Sequence, residues 1–146
     1  LIVDSALFAS FIGLATREET FTFKTKSLEE YAVLIFELTN YTGKEVIQIL
    51  SKDDKIVREQ AATEAKVKFE YMKPDTYYAR LFIDENGNGK WDTGNYKEKR
   101  QAEKIYYYPY DMELRAFWDV EEVWNINELP ILEQKPKELI KTSNNK

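Results

Sequence analysis

The sequence predicts an all-β domain, an antiparallel β-sandwich of about seven or eight strands, on three observations. Apolar and polar residues alternate with a period of two along most of the chain, as in half-buried strands. Ten Tyr and eight Phe stand against five Gly, and aromatic side chains fit a pleated surface. Turn residues recur roughly every eight to twelve positions, the spacing of a sandwich or barrel.

The elements follow in order. Residues 20–24 place Phe21 and Phe23 on one side of a strand, and 31–38 is apolar on both faces, which predicts a central strand. Val46, Ile47, Ile49 and Leu50 make 45–50 a strand, the polar run 51–55 a turn, and Ile56-Val57 the start of a short return. Over 66–71, Val67, Phe69 and Tyr71 alternate with Lys66, Lys68 and Glu70. Pro74-Asp75 marks a turn. Over 76–83, Tyr77, Ala79, Leu81 and Ile83 oppose Tyr78, Arg80 and Phe82. Two further strands are expected at 104–108 and at 113–120, the latter aligning Leu114, Ala116 and Trp118. Helical signals are sparse: a capping-box spacing at 27–30 that no periodic run follows, and one turn or loop at 60–65.

The net charge is −5 with the signs interspersed, so the basic footprint needed to displace counterions from nucleic acid is missing. The absence of Cys and His excludes disulfides, thiolate zinc sites and imidazole-based catalysis. No phosphate loop or nucleophile elbow occurs, and the acids, Asp111, Asp119, Glu121 and Glu122 among them, form no specific pair. The chain is therefore expected not to be an enzyme. It begins at Leu1 rather than Met and reads as a fragment; the apolar stretch 1–14, interrupted by Asp4, is too short to span a membrane.

Asp84, Asn86 and Asn88 alternate, Gly89 follows, and Asp92 lies four residues after Asn88. That is the spacing of an EF-hand-type loop, with oxygen ligands at positions 1, 3, 5 and 9, the Lys90 carbonyl at 7 and Gly at 6. Calcium, a hard cation, takes six to eight such oxygens. At position 12 Asn95 replaces the usual bidentate Glu, which predicts weak affinity of roughly 10⁻⁴–10⁻³ M; Asp111 or Glu103 would supply the missing acid. The same residues also serve as metal-free turn formers, since Asn-Gly pairs tolerate positive φ and Asn closes Asx-turns. Both readings stay open. Trp91 is expected to anchor the loop to the sandwich, and Arg80 or Arg100 to pair with Asp84 or Asp92, against a cation, or with Glu103.

Two stretches resemble known families. The run FEYMKPDTYYAR over 69–80 resembles the Leu-x-Pro-Gly-x-Tyr turn and strand of transthyretin-like sandwiches. The B-type repeats of Gram-positive surface adhesins belong to that group, some with a similar calcium loop; here Asp75 takes the usual Gly position. The second match is RLFIDENGNGKWDTG over 80–94, with KRQAE at 99–103, YYYP at 106–109, WDV at 118–120 and WN at 124–125. These motifs resemble the C-terminal region of Ig-like-domain surface proteins of Bacteroidetes, over about residues 19–140, with Ala102 where that family usually has Pro.

The resemblance implies an Ig-like or transthyretin-like sandwich, export as a surface protein or lipoprotein, and further domains of the same protein as partners. It implies no biochemical activity. Residues 1–15 would end a preceding Ig-like domain or form an extension, 16–133 the sandwich, and 134–146 a polar tail frayed from Thr142 onward. The expected function is a structural or adhesive module stiffened by Ca²⁺ in the 84–95 loop, without direct membrane insertion by this fragment. The alternative is a carbohydrate-binding module whose platform is Tyr106, Tyr107, Tyr108, Tyr110 and Trp124, with glycan or a host or bacterial surface protein as partner, against the plainer reading that these rings fill the core.

Overall fold

The computed structural model describes residues 30–140, together with the backbone of Ile2–Val3 (β1) and Glu19–Thr20 (β2), which pair antiparallel. Phe21, Phe23, most of the 27–30 capping box and the tail beyond 140 lie outside the described residues. Eight strands then build two packed sheets, as the alternation predicts. A three-stranded sheet has β3 (Ala32–Thr39) at its centre, between β10 (Asp119–Asn125) and β6 (Lys66–Met72). In the larger sheet the order is β5 (Ile56–Ala61), β4 (Glu45–Leu50), β7 (Asp75–Ile83), β8 (Ile105–Tyr107), and β9 (Met112–Leu114) pairs with the start of β7.

All pairings in the two packed sheets are antiparallel except one: β10 runs parallel to β3, Val120 beside Leu34 and Trp124 beside Leu38. Parallel neighbours need a long crossover rather than a hairpin, and the chain makes one, traversing the larger sheet between β3 and β10.

The core lies between the sheets. Leu34, Phe36, Val67, Phe69 and Trp124 of the small sheet meet Ile47, Ile49, Ala79, Leu81 and Leu114 of the large one. Phe36, Tyr108 and Trp124 pack as a mutual triad with centroids 5.3–5.5 Å apart. All six β4 residues are buried, because the outer face of the large sheet is covered as well. There Leu139 packs on Leu50, Tyr78 and Tyr107.

The C-terminal segment supplying that cover corrects the expected boundary of the tail. Gln134 is buried, its amide donating to the carbonyls of Ile126 and Leu129 and accepting from the Tyr107 amide. Lys135 reaches Asp54 at 3.4 Å and lies over the Tyr107 ring. Residues 134–140 therefore belong to the packed domain.

Two further expectations are corrected. Tyr71 adopts φ 58° beside a register shift, so alternation resets: Met72 turns inward and Tyr71 outward. Residues 113–120 are not one strand, because Phe117 at φ 69° breaks them into β9 and β10 and leaves Ala116 and Trp118 exposed. At 60–65, Gln60 and Ala61 end β5 and 62–65 form a loop, the alternative to a helical turn. Among the described residues no helix is long and apolar enough to cross a membrane.

Candidate metal loop

The loop begins where β7 leaves the sheet, tied by the Asp84 amide to the Lys44 carbonyl at 2.8 Å. Gly87 and Gly89 take φ 74° and 72°, a turn of backbone that L side chains resist. Coiling this way aims three successive amides at Asp84. Its Oδ1 accepts from Gly87 at 2.7 Å and Asn88 at 3.1 Å, and its Oδ2 from Gly89 at 2.7 Å. Burial pushes the Asp84 pKa up, but these backbone donors outweigh it and hold the carboxyl below its ordinary value.

Asp92 closes the loop from the other side. Its Oδ2 accepts from the side-chain amides of both Asn86 and Asn88, the latter at 2.8 Å. Each Asn oxygen accepts a backbone amide two residues on, Asn88 at 3.0 Å and Lys90 at 2.7 Å. An amide oxygen with one such bond keeps a second lone pair. Asp84, Asn86, Asn88 and Asp92 are thus gathered in one loop, with a donor set of the kind calcium selects.

Other expected ligands are not brought in. Asn95 pairs with Arg100 across the next hairpin, and its side-chain oxygen caps the Lys97 amide at 3.1 Å. Asp111 precedes Met112, which pairs with Tyr77 in the first half of β7, away from the loop that follows that strand. Glu103 does reach the loop, but as a clasp: its carboxylate accepts the amides of Glu85 at 2.9 Å and Asp92 at 3.0 Å. Trp91 is 41% exposed and anchors through its indole N–H on the Glu103 carbonyl rather than by burial. Arg80 donates to Gln48, away from Asp84, whereas the Arg100 guanidinium stands 4.0 Å from Asp92.

Sequence reasoning missed Glu45, which supports the loop from below. It is 2% exposed, and its carboxylate accepts from the Thr42 amide and hydroxyl and from the amides of Gly43 and Lys44. The only trace in the sequence is turn chemistry, Thr-Gly followed by an acid.

The expected aromatic platform does not assemble. Trp124 and Tyr108 are core residues, Tyr106 packs against the same core, and Tyr107 faces the opposite side of the sheet under Leu139 and Lys135. Tyr110 alone of the five is exposed, at 59%, with its ring edge against Tyr108. Compared with family models, curated proteins and solved structures, the chain matches none.

Proposed function

We propose that this domain is a non-catalytic structural or adhesive module of an exported bacterial surface protein, set among further domains of that protein, and that its 84–92 loop is a weak Ca²⁺ site. The observation that carries the metal reading is the convergence of Asp84, Asn86, Asn88 and Asp92 within one coiled loop. The surface-protein reading rests on the resemblance of 80–94 and the motifs that follow it. Because backbone and amide donors already close the loop, calcium adds to a formed structure rather than creating one. It replaces the two Asn donors on Asp92 with a full positive charge and stiffens the hairpin that follows β7.

At about 5 mM calcium and a Kd of roughly 0.5 mM, mass action adds about 1.4 kcal/mol. For a domain of this size that is roughly 4–8 °C in Tm. The test compares thermal melts in calcium and in chelator with Tb³⁺ luminescence excited through Trp91. A calcium-dependent rise in Tm and sensitised emission that Asp92→Asn weakens are expected. Identical melts with no sensitised emission would refute the site.

A further inference from the structure

Both Asn-Gly pairs of the chain, Asn86-Gly87 and Asn88-Gly89, lie in the 84–92 loop. Asn is among the chemically labile residues of a protein, and before Gly it is at its most reactive. With no side chain on the following residue, that residue's backbone nitrogen reaches the Asn amide carbon unhindered. All four residues are exposed, so water and base have free access to them. Burial does not protect these pairs.

Hydrogen bonds within the loop engage the nitrogen and oxygen atoms that such a reaction uses. Each glycine nitrogen, the attacking atom, donates to the Asp84 carboxylate, Gly87 to Oδ1 and Gly89 to Oδ2, both at 2.7 Å. Each Asn side-chain nitrogen, the departing atom, donates to Asp92 Oδ2. Each Asn side-chain oxygen accepts the amide two residues on, from Asn88 at 3.0 Å and from Lys90 at 2.7 Å. A nitrogen whose N–H points at Asp84 must give up that bond and turn before it can approach the neighbouring side chain. Asp84 is 8% exposed, and its backbone donors keep it ionised at neutral pH. It therefore remains an acceptor under the conditions in which Asn-Gly pairs react.

We infer that Asn86-Gly87 and Asn88-Gly89 are a latent modification site that deamidates when the loop opens, and that Asp84 and Asp92 hold it shut while the loop is coiled. In the open loop the Gly87 nitrogen attacks the Asn86 Cγ. The new C–N bond closes a cyclic imide, the Cγ–Nδ2 bond breaks, and the glycine proton passes through solvent to the departing ammonia. Water then opens the imide at one carbonyl or the other, leaving an aspartate or a β-linked isoaspartate. Gly89 and Asn88 react in the same way. Each conversion replaces a donor to Asp92 by a carboxylate that repels it, so the loop does not close again as before. The change is one-way, and every event adds a negative charge. It does not depend on the calcium reading.

The test incubates the whole chain at neutral pH with chelator present and follows both pairs by peptide mass mapping, isoaspartate being resolved chromatographically. Folded wild type is compared with the same chain in concentrated urea, where neither pair is held. Conversion is expected to be about tenfold or more slower in the folded chain, since it waits on local opening. Asp84→Ala is expected to bring the folded-state rate at both pairs close to that in urea, while near-ultraviolet circular dichroism shows the aromatic core intact. Should that variant fail to fold, Asp92→Ala, at a side chain 29% exposed, carries the test and is expected to accelerate conversion at both Asn residues. Equal rates in the folded chain and in urea would overturn the inference, as would an unreactive pair in urea. An unchanged rate in whichever folded variant is read overturns it too. None of these outcomes touches the calcium reading, which is tested with the metal present.

Discussion

Two buried carboxylates, Glu45 and Asp84, hold neighbouring turns by the same device: each acid is wrapped by the amides that follow or precede it. Burial raises the Glu45 pKa, but the hydrogen bonds from Thr42 and the adjacent amides overcome it, so the folded value lies below the ordinary one. Asp84 is lowered in the same way. Both groups bind protons more weakly folded than unfolded. Their contribution is therefore complete above the ordinary carboxylate range and is lost as pH falls through the folded values. Urea titrations from pH 7 to pH 3 should show stability declining below about pH 4.5. Glu45→Gln should cost roughly 1–3 kcal/mol at pH 7 and less at pH 3, because the contribution of the lowered carboxylate is lost as pH falls. An equal cost at both pH values would show that charge is not the cause. The Asp84 loop was legible because its Asp/Asn/Gly spacing is a pattern within nine residues. The burial of Glu45 was not, because it depends on where the following strand lies in the sheet.

At the scale of the element, period-two alternation located β6 and β7, and apolar runs located β3 and β4, since each has a face in the core. Alternation failed at two places, and for one reason. Tyr71 and Phe117 take positive φ without being Gly or Asn, so nothing in the residue type announces the break. Downstream of Phe117 the alternation belongs to a new strand, β10, whose Trp124 faces inward and whose Val123 is 59% exposed. The two neighbours should therefore respond very differently. Trp124→Ala removes one ring of the triad with Phe36 and Tyr108 and should cost about 3–5 kcal/mol. Val123→Ala should stay within about 0.5 kcal/mol. Chemical denaturation of both variants checks this; comparable losses would mean that β10 packs otherwise. Tyr108 joins the same strand through its hydroxyl, which donates to Glu122 at 2.6 Å. Burial, and then the Glu122 carboxylate, push that phenol far above its ordinary pKa, so it stays a donor across the physiological range.

For the whole molecule, composition and patterning sufficed to anticipate a two-sheet all-β domain. They did not reveal the parallel docking of β10 or the second hydrophobic layer, because both depend on contacts between segments far apart in the chain. Lys135, Lys137 and Glu138 made the C-terminal segment look like solvated tail, yet its single apolar anchor, Leu139, is 2% exposed on Leu50 and Tyr78. Leu139→Ala should destabilise the domain by about 2–4 kcal/mol, whereas Leu132→Ala, at a side chain 96% exposed, should leave the melt unchanged. If both are silent in thermal melts, the segment does not hold the sheet.

The edge strand β5 is exposed at every residue, and such an edge is a ready template for joining copies into larger aggregates. The Ala62 amide bonds to the Glu45 carbonyl, which fixes the parity of the ladder: Arg58 and Gln60 turn their backbone groups to β4, Glu59 and Ala61 theirs to solvent. An antiparallel copy must then match odd positions with odd and even with even. The two registers of longest overlap place Arg58 against Arg58 or Glu59 against Glu59, and like charges directly opposed repel. Two adjacent charges of opposite sign thus oppose pairing of β5 with a second copy of itself in the two registers of greatest overlap.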